Sequence, residues 1–392
     1  MTTAFILSIC VLLLLAYFFD LTASITKIPS VILLLLLGWL AQQTCYFFDI
    51  KMPNLEILLP ILGTVGLILI VLDGALELQL NKERIPIVKS SFWMAILSMA
   101  FMAIVFTVFI KYTQDTTFKI ALTNIIPMCI ISSAVAIPTV KSFSKYTKEF
   151  VIYESSFSDI IGVLFFNFMA LNAVINFTSV GMFIIQFILI IVVSFFSILG
   201  LSFLLNKIDH HIKYMPIILI VILIYTISKS FHLPALLFIL LFGLFLGNID
   251  ELNRFQFLQI LKPDSLKNEI NKFKEIVIEA TFLIRALFFI LFGFLIHTDE
   301  VFNSDTIYWS IGIVFSIFVI RYLFMKLLKI PSDNNILYVA PRGLITVLLI
   351  LSMDKESSLY FVNNSLLIQV ILLSSLFMMF GLMFSKKDVA TE

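Results

Sequence analysis

Charge is what this sequence has least of. Only 13% of its 392 residues are Asp, Glu, Lys or Arg, against about 25% in ordinary soluble domains, while 61% are hydrophobic. A water-soluble fold of this length cannot hide so much apolar surface. No block of basic residues is present, which excludes the usual nucleic-acid tract, and a formal net charge of +1 points to no charged macromolecular partner. The three cysteines, Cys10, Cys45 and Cys129, stand far apart in or beside apolar runs. That spacing excludes a disulfide framework and a cysteine metal site, and leaves them as small buried hydrophobes. Long polar stretches are scarce as well. The longest, Glu251–Lys272, reads as a loop with some amphipathic helix, so no separate soluble domain is expected.

What is present, from end to end, is apolar runs of about 20 residues, the length that crosses a bilayer as helix. In lipid every backbone N–H and C=O must be paired internally, which leaves helices or closed barrels. Barrel strands alternate over about 10 residues, and these runs are longer and uniformly apolar. The expected class is therefore all-α and polytopic. Thirteen spans are expected, near 3–20, 29–48, 55–78, 86–111, 118–140, 149–174, 180–205, 213–229, 233–248, 273–297, 306–328, 334–353 and 363–385, the eighth and ninth being short. The first has no basic flank before it and no small-residue cleavage site after it, so it reads as a span rather than a signal peptide. Sorting loop Lys and Arg by alternate span ends puts eighteen on one side and five on the other. The richer side is the cytoplasmic one. The N-terminus is then outside, and residues 386–392 form a short cytoplasmic tail.

Charges inside spans are costly and therefore informative. Among them Asp73, Glu77, Glu154, Asp159, Arg285, Arg321 and Arg342 stand out. Span six is the most polar. Ser155, Ser158, Asp159 and Gly162 share one helical face by their spacing. Hydroxyl and carboxylate oxygens are the hard ligands that a small alkali cation takes, as other hard cations do. The structural alternative is an ion-paired carboxylate, or one near water at a helix end. In span five, Ser132, Ser133 and Pro138 suggest a broken helix, with the proline freeing the carbonyl of Ala134. Span twelve repeats the pattern with Pro341, Arg342 and Gly343. Transporters place such breaks at the membrane midplane, where helix ends and backbone face the ion. Spans five and twelve sit in matching places in triplets 4–6 and 11–13, which begin on opposite sides. That is the outline of inverted repeats with two crossed broken helices.

Five segments now resemble one family. Leu69–Leu78 is similar to a third-helix pattern and Ser132–Lys141 to a Thr-Asp-Pro-Val-Ala segment. Glu154–Asp159 resembles a Glu-Ser-x-x-Asn-Asp segment, Pro341–Thr346 an Arg-Gly segment, and Phe288–Gly293 a tenth-helix pattern. Together, in chain order, they resemble the monovalent cation:proton antiporter superfamily, in its sodium/proton exchanger branch, of the prokaryotic type without a long tail. Two positions depart from the pattern. Ser132-Ser133 stands where the family commonly has Thr-Asp, and Ser158 precedes Asp159 where the family has Asn or Asp.

The resemblance implies a homodimer in a plasma membrane, bacterial by the compact chain. Each protomer would have a dimerisation half, about 1–80 and 180–298, and a transport half, about 86–175 and 305–385. It implies exchange of Na⁺, or Li⁺ or K⁺, for H⁺, with no cofactor, no nucleic acid and no enzyme activity. Asp159 would bind proton or cation, with Ser155, Ser158, Ser132 and Ser133 as neutral oxygens and Asp73 as a second acid. An empty, ionised carboxylate is costly to carry across a hydrophobic barrier, and either occupied form is neutral. Exchange of one proton for one cation, electroneutral, follows. The resemblance also implies a core ion pair of Glu154 with Arg321, for which snorkelling of Arg321 to the cytoplasm is the competing reading. Pro138, Pro341 and Arg342 would support the broken helices. Arg285 reads as a boundary residue, His210 and His211 as a solvated pair, and His232 and His297 as interfacial. Gly243 and Gly247 suit close helix packing. A channel or a carrier of another solute remains an alternative, as does an intramembrane enzyme. The enzyme would need facing acids such as Asp73 and Asp159, or histidines at depth.

Overall fold

The computed structural model describes residues 2–26, 28–50, 55–78, 83–140, 143–172, 176–208, 213–249, 263–330, 334–353 and 358–385. Among these residues the regular structure is helix, with no strand. The helices in chain order are α1 (Thr2–Thr26), α2 (Ser30–Phe47), α3 (Leu58–Glu77), α4 (Ile85–Thr113), α5 (Phe118–Cys129), α6 (Ser133–Thr139), α7 (Lys145–Leu171) and α8 (Phe177–Lys207). They continue with α9 (Tyr214–Ser230), α10 (Ala235–Gly247), α11 (Pro263–Phe294), α12 (Thr298–Val301), α13 (Ser304–Leu327), α14 (Asn334–Tyr338), α15 (Leu344–Leu351) and α16 (Asn364–Phe384).

Nine segments among the described residues are long and apolar enough to cross a membrane, counting α5 and α6 as one. Helices α9 and α10 are shorter apolar helices. Helix α7 has the length but carries Lys145, Lys148, Glu149, Glu154 and Asp159. Polar caps set several starts that a continuous apolar run leaves undefined. Asn176 opens α8 with a reciprocal capping box to Ser179, and the Asn363 side chain accepts from Leu366 N at 3.1 Å.

The polar stretch before span ten contains the expected helix, which runs from Pro263 straight into the span. Proline suits the first turn of a helix, where its missing N–H costs nothing. Residues 250–262, His210, His211 and the tail 386–392 lie outside the described residues.

The chain forms two compact units. Residues 65–86 and 167–282 form one of them. Here α8, α9 and α10 pack on one another. Gly243 and Gly247 bring α10 against the backbone of α3. A Cβ on Gly243 would lie 2.5 Å from Ala75 Cβ, and one on Gly247 2.8 Å from Leu76 O. Asn248 Nδ2 donates to Leu78 O at 2.8 Å and Thr281 Oγ1 to Leu69 O at 3.2 Å. Both bonds satisfy carbonyls near the end or along the side of α3. Asp73 is half-buried in this unit.

Residues 1–64, 87–166 and 283–392 form the other unit. Helix α13 lies along α16, α15 lies against α5, and α6 lies against α1 and α2. Gly38 and Gly293 let α2 and α11 touch backbone to backbone, since a Cβ on Gly293 would stand 2.3 Å from Leu35 O. The pair α5–α6 is 89% buried along its apolar window, against 6% for the window in α1. The broken segment is therefore interior, and α1 is the kind of helix that presents apolar side chains to lipid.

Candidate functional site

The first break is short. Helix α5 stops at Cys129, Ile130 and Ser132 are extended, and α6 starts at Ser133. Pro138 lies inside α6, so the interruption falls ahead of the proline rather than at it. A proline removes one hydrogen bond from a helix. What opens the chain at 130–132 is the set of partners waiting for its backbone. The second break runs from Val339 to Gly343, with Pro341 in its middle, between α14 and α15.

The two breaks cross and bond to each other. Ser132 N donates to Pro341 O at 2.9 Å, and Thr346 Oγ1 donates to Pro127 O at 3.0 Å. Pro127 O, like Met128 O, is near the end of α5, where carbonyls have no helical donor. Arg342 serves Met128 O, with Nε donating at 2.7 Å, while Nη1 donates to Ala340 O at 3.0 Å. A cation at this helix end also complements the helix dipole. Gly343 is the close point of the crossing. A Cβ there would meet Ser132 Oγ at 2.8 Å and Val135 Cγ2 at 2.9 Å.

Helix α7 presents its polar face to the first break. Ile131 N donates to Ser158 Oγ at 2.9 Å, and Ser133 N donates to Asp159 Oδ2 at 3.3 Å. Ser133 N is the first N–H of α6 and so has no intrahelical acceptor. One turn further along α7, a Cβ on Gly162 would stand 2.4 Å from the Ile130 side chain. Asp159, Ser155, Ser158, Ser132 and Ser133 are all buried. Ser155 Oγ donates to Val151 O at 2.8 Å within its own helix, which leaves its lone pairs available. Two buried oxygens, Asp159 Oδ1 and Ser132 Oγ, have no hydrogen-bond partner among the described residues. Such groups are uncommon in folded proteins and call for an explanation, of which a bound ion is one.

Glu154 lies on the same helix, one turn before Ser158. Its carboxylate meets the Arg321 guanidinium in a two-armed pair, Nη1 to Oε1 and Nη2 to Oε2, the second at 2.7 Å. Arg321 is 2% exposed, so it does not reach for the interface. Its Nε and Nη2 also donate to Ile336 O, at 3.0 and 2.9 Å. The pair ties α7, α13 and α14 together beside an apolar cluster of Met94, Phe150, Met325, Ile330 and Ile336.

Arg285 is paired with Asp20, Nη2 to Oδ1 at 2.9 Å. Asp20, the last residue of the first expected span, lies within α1. His232 ends α9 in the left-handed region, and His297 caps α12. Three partners of the crossing escaped sequence reasoning. Ser374 Oγ accepts from Arg342 N at 3.0 Å, Asn124 Oδ1 accepts from Leu359 N at 3.0 Å, and Thr346 holds Pro127 O. The Ser374-Ser375 doublet in an apolar run was the one visible signal.

A family model described as sodium/hydrogen exchanger, transmembrane, matches residues 10–386. Two solved structures of the sodium proton antiporter MjNhaP1 from Methanocaldococcus jannaschii share the fold. The one at pH 8 superposes with a TM-score of 0.66 at 17% identity, over 96% of this chain and 95% of that one. An electron-microscopy structure gives 0.68 at 17% identity, over 97% and 95%. No curated protein matches the chain. The crossed breaks thus stand in a known architecture, and the chain belongs to the sodium/hydrogen exchanger family of transmembrane proteins.

Proposed function

We propose that the chain is a secondary active antiporter that exchanges Na⁺, or Li⁺ or K⁺, for H⁺, with Asp159 carrying both in turn. The observation that carries this reading is the Asp159 carboxylate. It is fully buried at the crossing, with Oδ2 held by Ser133 N and Oδ1 left without a partner. A proton or a monovalent cation on Oδ1 neutralises the group, and among the described residues no Lys or Arg is hydrogen-bonded to it. Ser132 Oγ supplies a neutral ligand, and the lone pairs of Ser155, Ser158 and Ser133 supply others. An ionised, unfilled carboxylate is expensive to move through a hydrophobic barrier, so the two occupied forms are the mobile ones. Antiport then follows from a single group, one H⁺ for one cation and electroneutral.

Residues 86–175 and 305–385 act as the moving half in this reading, and 1–80 and 180–298 as the static half that forms a homodimer. The Glu154–Arg321 pair and Arg342 hold the moving half rigid, with Pro341 in the second break, while Pro138 lies inside α6, beyond the first. Asp73 is a second acid whose titration in the same cycle would raise the proton count. The protein works in a plasma membrane, crossed thirteen times, with the N-terminus outside and the C-terminus in the cytoplasm.

The test uses acid-loaded proteoliposomes, to which Na⁺, Li⁺ or K⁺ is added outside while internal pH is read. Alkalinisation with one or more cations is expected, and Asp159→Asn abolishes it. No response to any of the three removes the antiport reading, and normal exchange by Asp159→Asn removes Asp159 as the carrier.

A further inference from the structure

Among the described residues, the buried charges of the unit formed by residues 1–64, 87–166 and 283–392 do not balance. Arg321 is matched by Glu154, and Arg285 by Asp20. Of the charged side chains buried there, Arg342 and Asp159 remain. In both occupied forms of the proposed cycle Asp159 is neutral. Arg342 then keeps a full positive charge at the crossing, 2% exposed. Its hydrogen-bond acceptors are carbonyls, Met128 O and Ala340 O, and among the described residues no carboxylate pairs with it. A helix end offsets about half a charge, so an excess stays buried. Buried charge without a counter-charge is among the most costly arrangements in a protein.

Beside Arg342 lies a small cavity of about 20 Å³, room for roughly one water or one small ion. Ser98, Cys129, Ile131, Arg321 and Ala340 help to line it. Arg321 is taken up by Glu154 and Ile336 O, and the Ser98 hydroxyl donates to Met94 O, so Arg342 is the cation of this lining left without a carboxylate, and a guanidinium among apolar walls suits a weakly hydrated anion. We propose that this cavity binds a small monovalent anion of the halide class against Arg342. The anion supplies a negative charge beyond that of Glu154, which Arg321 already balances. A second consequence rests on the antiport reading. With the anion in place the two occupied carriers are neutral and the unfilled one is charged. Without it the unfilled carrier, ionised Asp159 with Arg342, is the neutral form, and it would cross and uncouple exchange.

The test reads binding without transport. Purified full-length protein in detergent is equilibrated with radiolabelled chloride, with gluconate holding ionic strength constant. Saturable retention of about one chloride per chain is expected, as for a single site. Cys129→Asp, which sets a carboxylate in the same cavity, weakens retention by about tenfold or more, whereas Cys129→Ser keeps it. No saturable retention by the wild-type chain overturns the proposal. So does wild-type retention by a folded Cys129→Asp, since the anion would then sit elsewhere. If Cys129→Asp does not fold, a structure solved in bromide decides. Bromide within hydrogen-bond distance of the Arg342 guanidinium supports the site, and only water there overturns it. Chloride binding by a protein that exchanges no cation sinks the antiport reading alone. Cation exchange by a protein that binds no chloride sinks the anion site alone.

Discussion

Glu154→Gln removes a charge and almost no volume. Arg321 would then be buried with Ile336 O and an amide oxygen as its acceptors, neither of them charged. Removing one partner of a buried ion pair costs about 3–5 kcal/mol, because the other charge stays desolvated. The two bonds to Ile336 O survive and hold the guanidinium in place, so the lower end, about 3 kcal/mol, is expected. At about 1.4 kcal/mol per decade this is a loss of roughly a hundredfold in the folded ratio. At about 2 °C per kcal/mol or a little less for a long chain, the apparent Tm falls by about 5 °C. The assay is heating in detergent followed by size-exclusion chromatography of what remains folded. Arg321→Gln should show a similar loss. The double variant should be less damaged than the two single losses added together, with a coupling above about 1.5 kcal/mol. Additive losses, or a Glu154→Gln cost below about 1 kcal/mol, would refute the claim that charge pairing holds α7 to α13.

Ser158→Ala leaves Ile131 N without its acceptor in a buried break, at a cost of about 1–3 kcal/mol; the same heating assay reads it, and no loss would mean that the break finds another partner. Gly343→Ala places a methyl 2.8 Å from Ser132 Oγ. Forcing the breaks apart should cost about 1–3 kcal/mol and slow cation-driven proton efflux, and an unchanged initial rate would deny that the close approach matters. Proton and cation compete for Asp159, so acidifying the cation side should raise the apparent KM for the cation. The rise should approach about tenfold per pH unit where protons saturate the site. A limit twice as steep would bring a second acid such as Asp73 into the cycle.

The helical architecture was legible because lipid imposes it. Each of the thirteen apolar segments expected from sequence contains helix among the described residues. The polar face of α7 was equally legible, since Ser158, Asp159 and Gly162 are in register on one helix and local spacing brings them together. Pro138 misled because proline is only one way to interrupt a helix. The break at 130–132 is held by Ser158, Asp159 and Pro341, two of which lie on α7 and one on the second break. The pairing of Asp20 with Arg285 was not legible, because the two are distant in sequence. Ser374 and Thr346 looked like ordinary small polar residues of a span, and only their acceptors and donors give them a role.

Composition and the spacing of its few charges alone determined that this chain is a helical membrane protein, that its interior acid lies on the sixth apolar segment, and that two segments are interrupted. Those properties depend on single helices and on the solvent around them. The tertiary structure decided which interrupted backbone meets which, that Arg321 turns inward to Glu154, and that Arg342 caps α5 beside a cavity. It also decided that Asp159 keeps one oxygen without a partner. Such outcomes depend on groups far apart in the chain, brought within hydrogen-bond range by packing that no local pattern encodes.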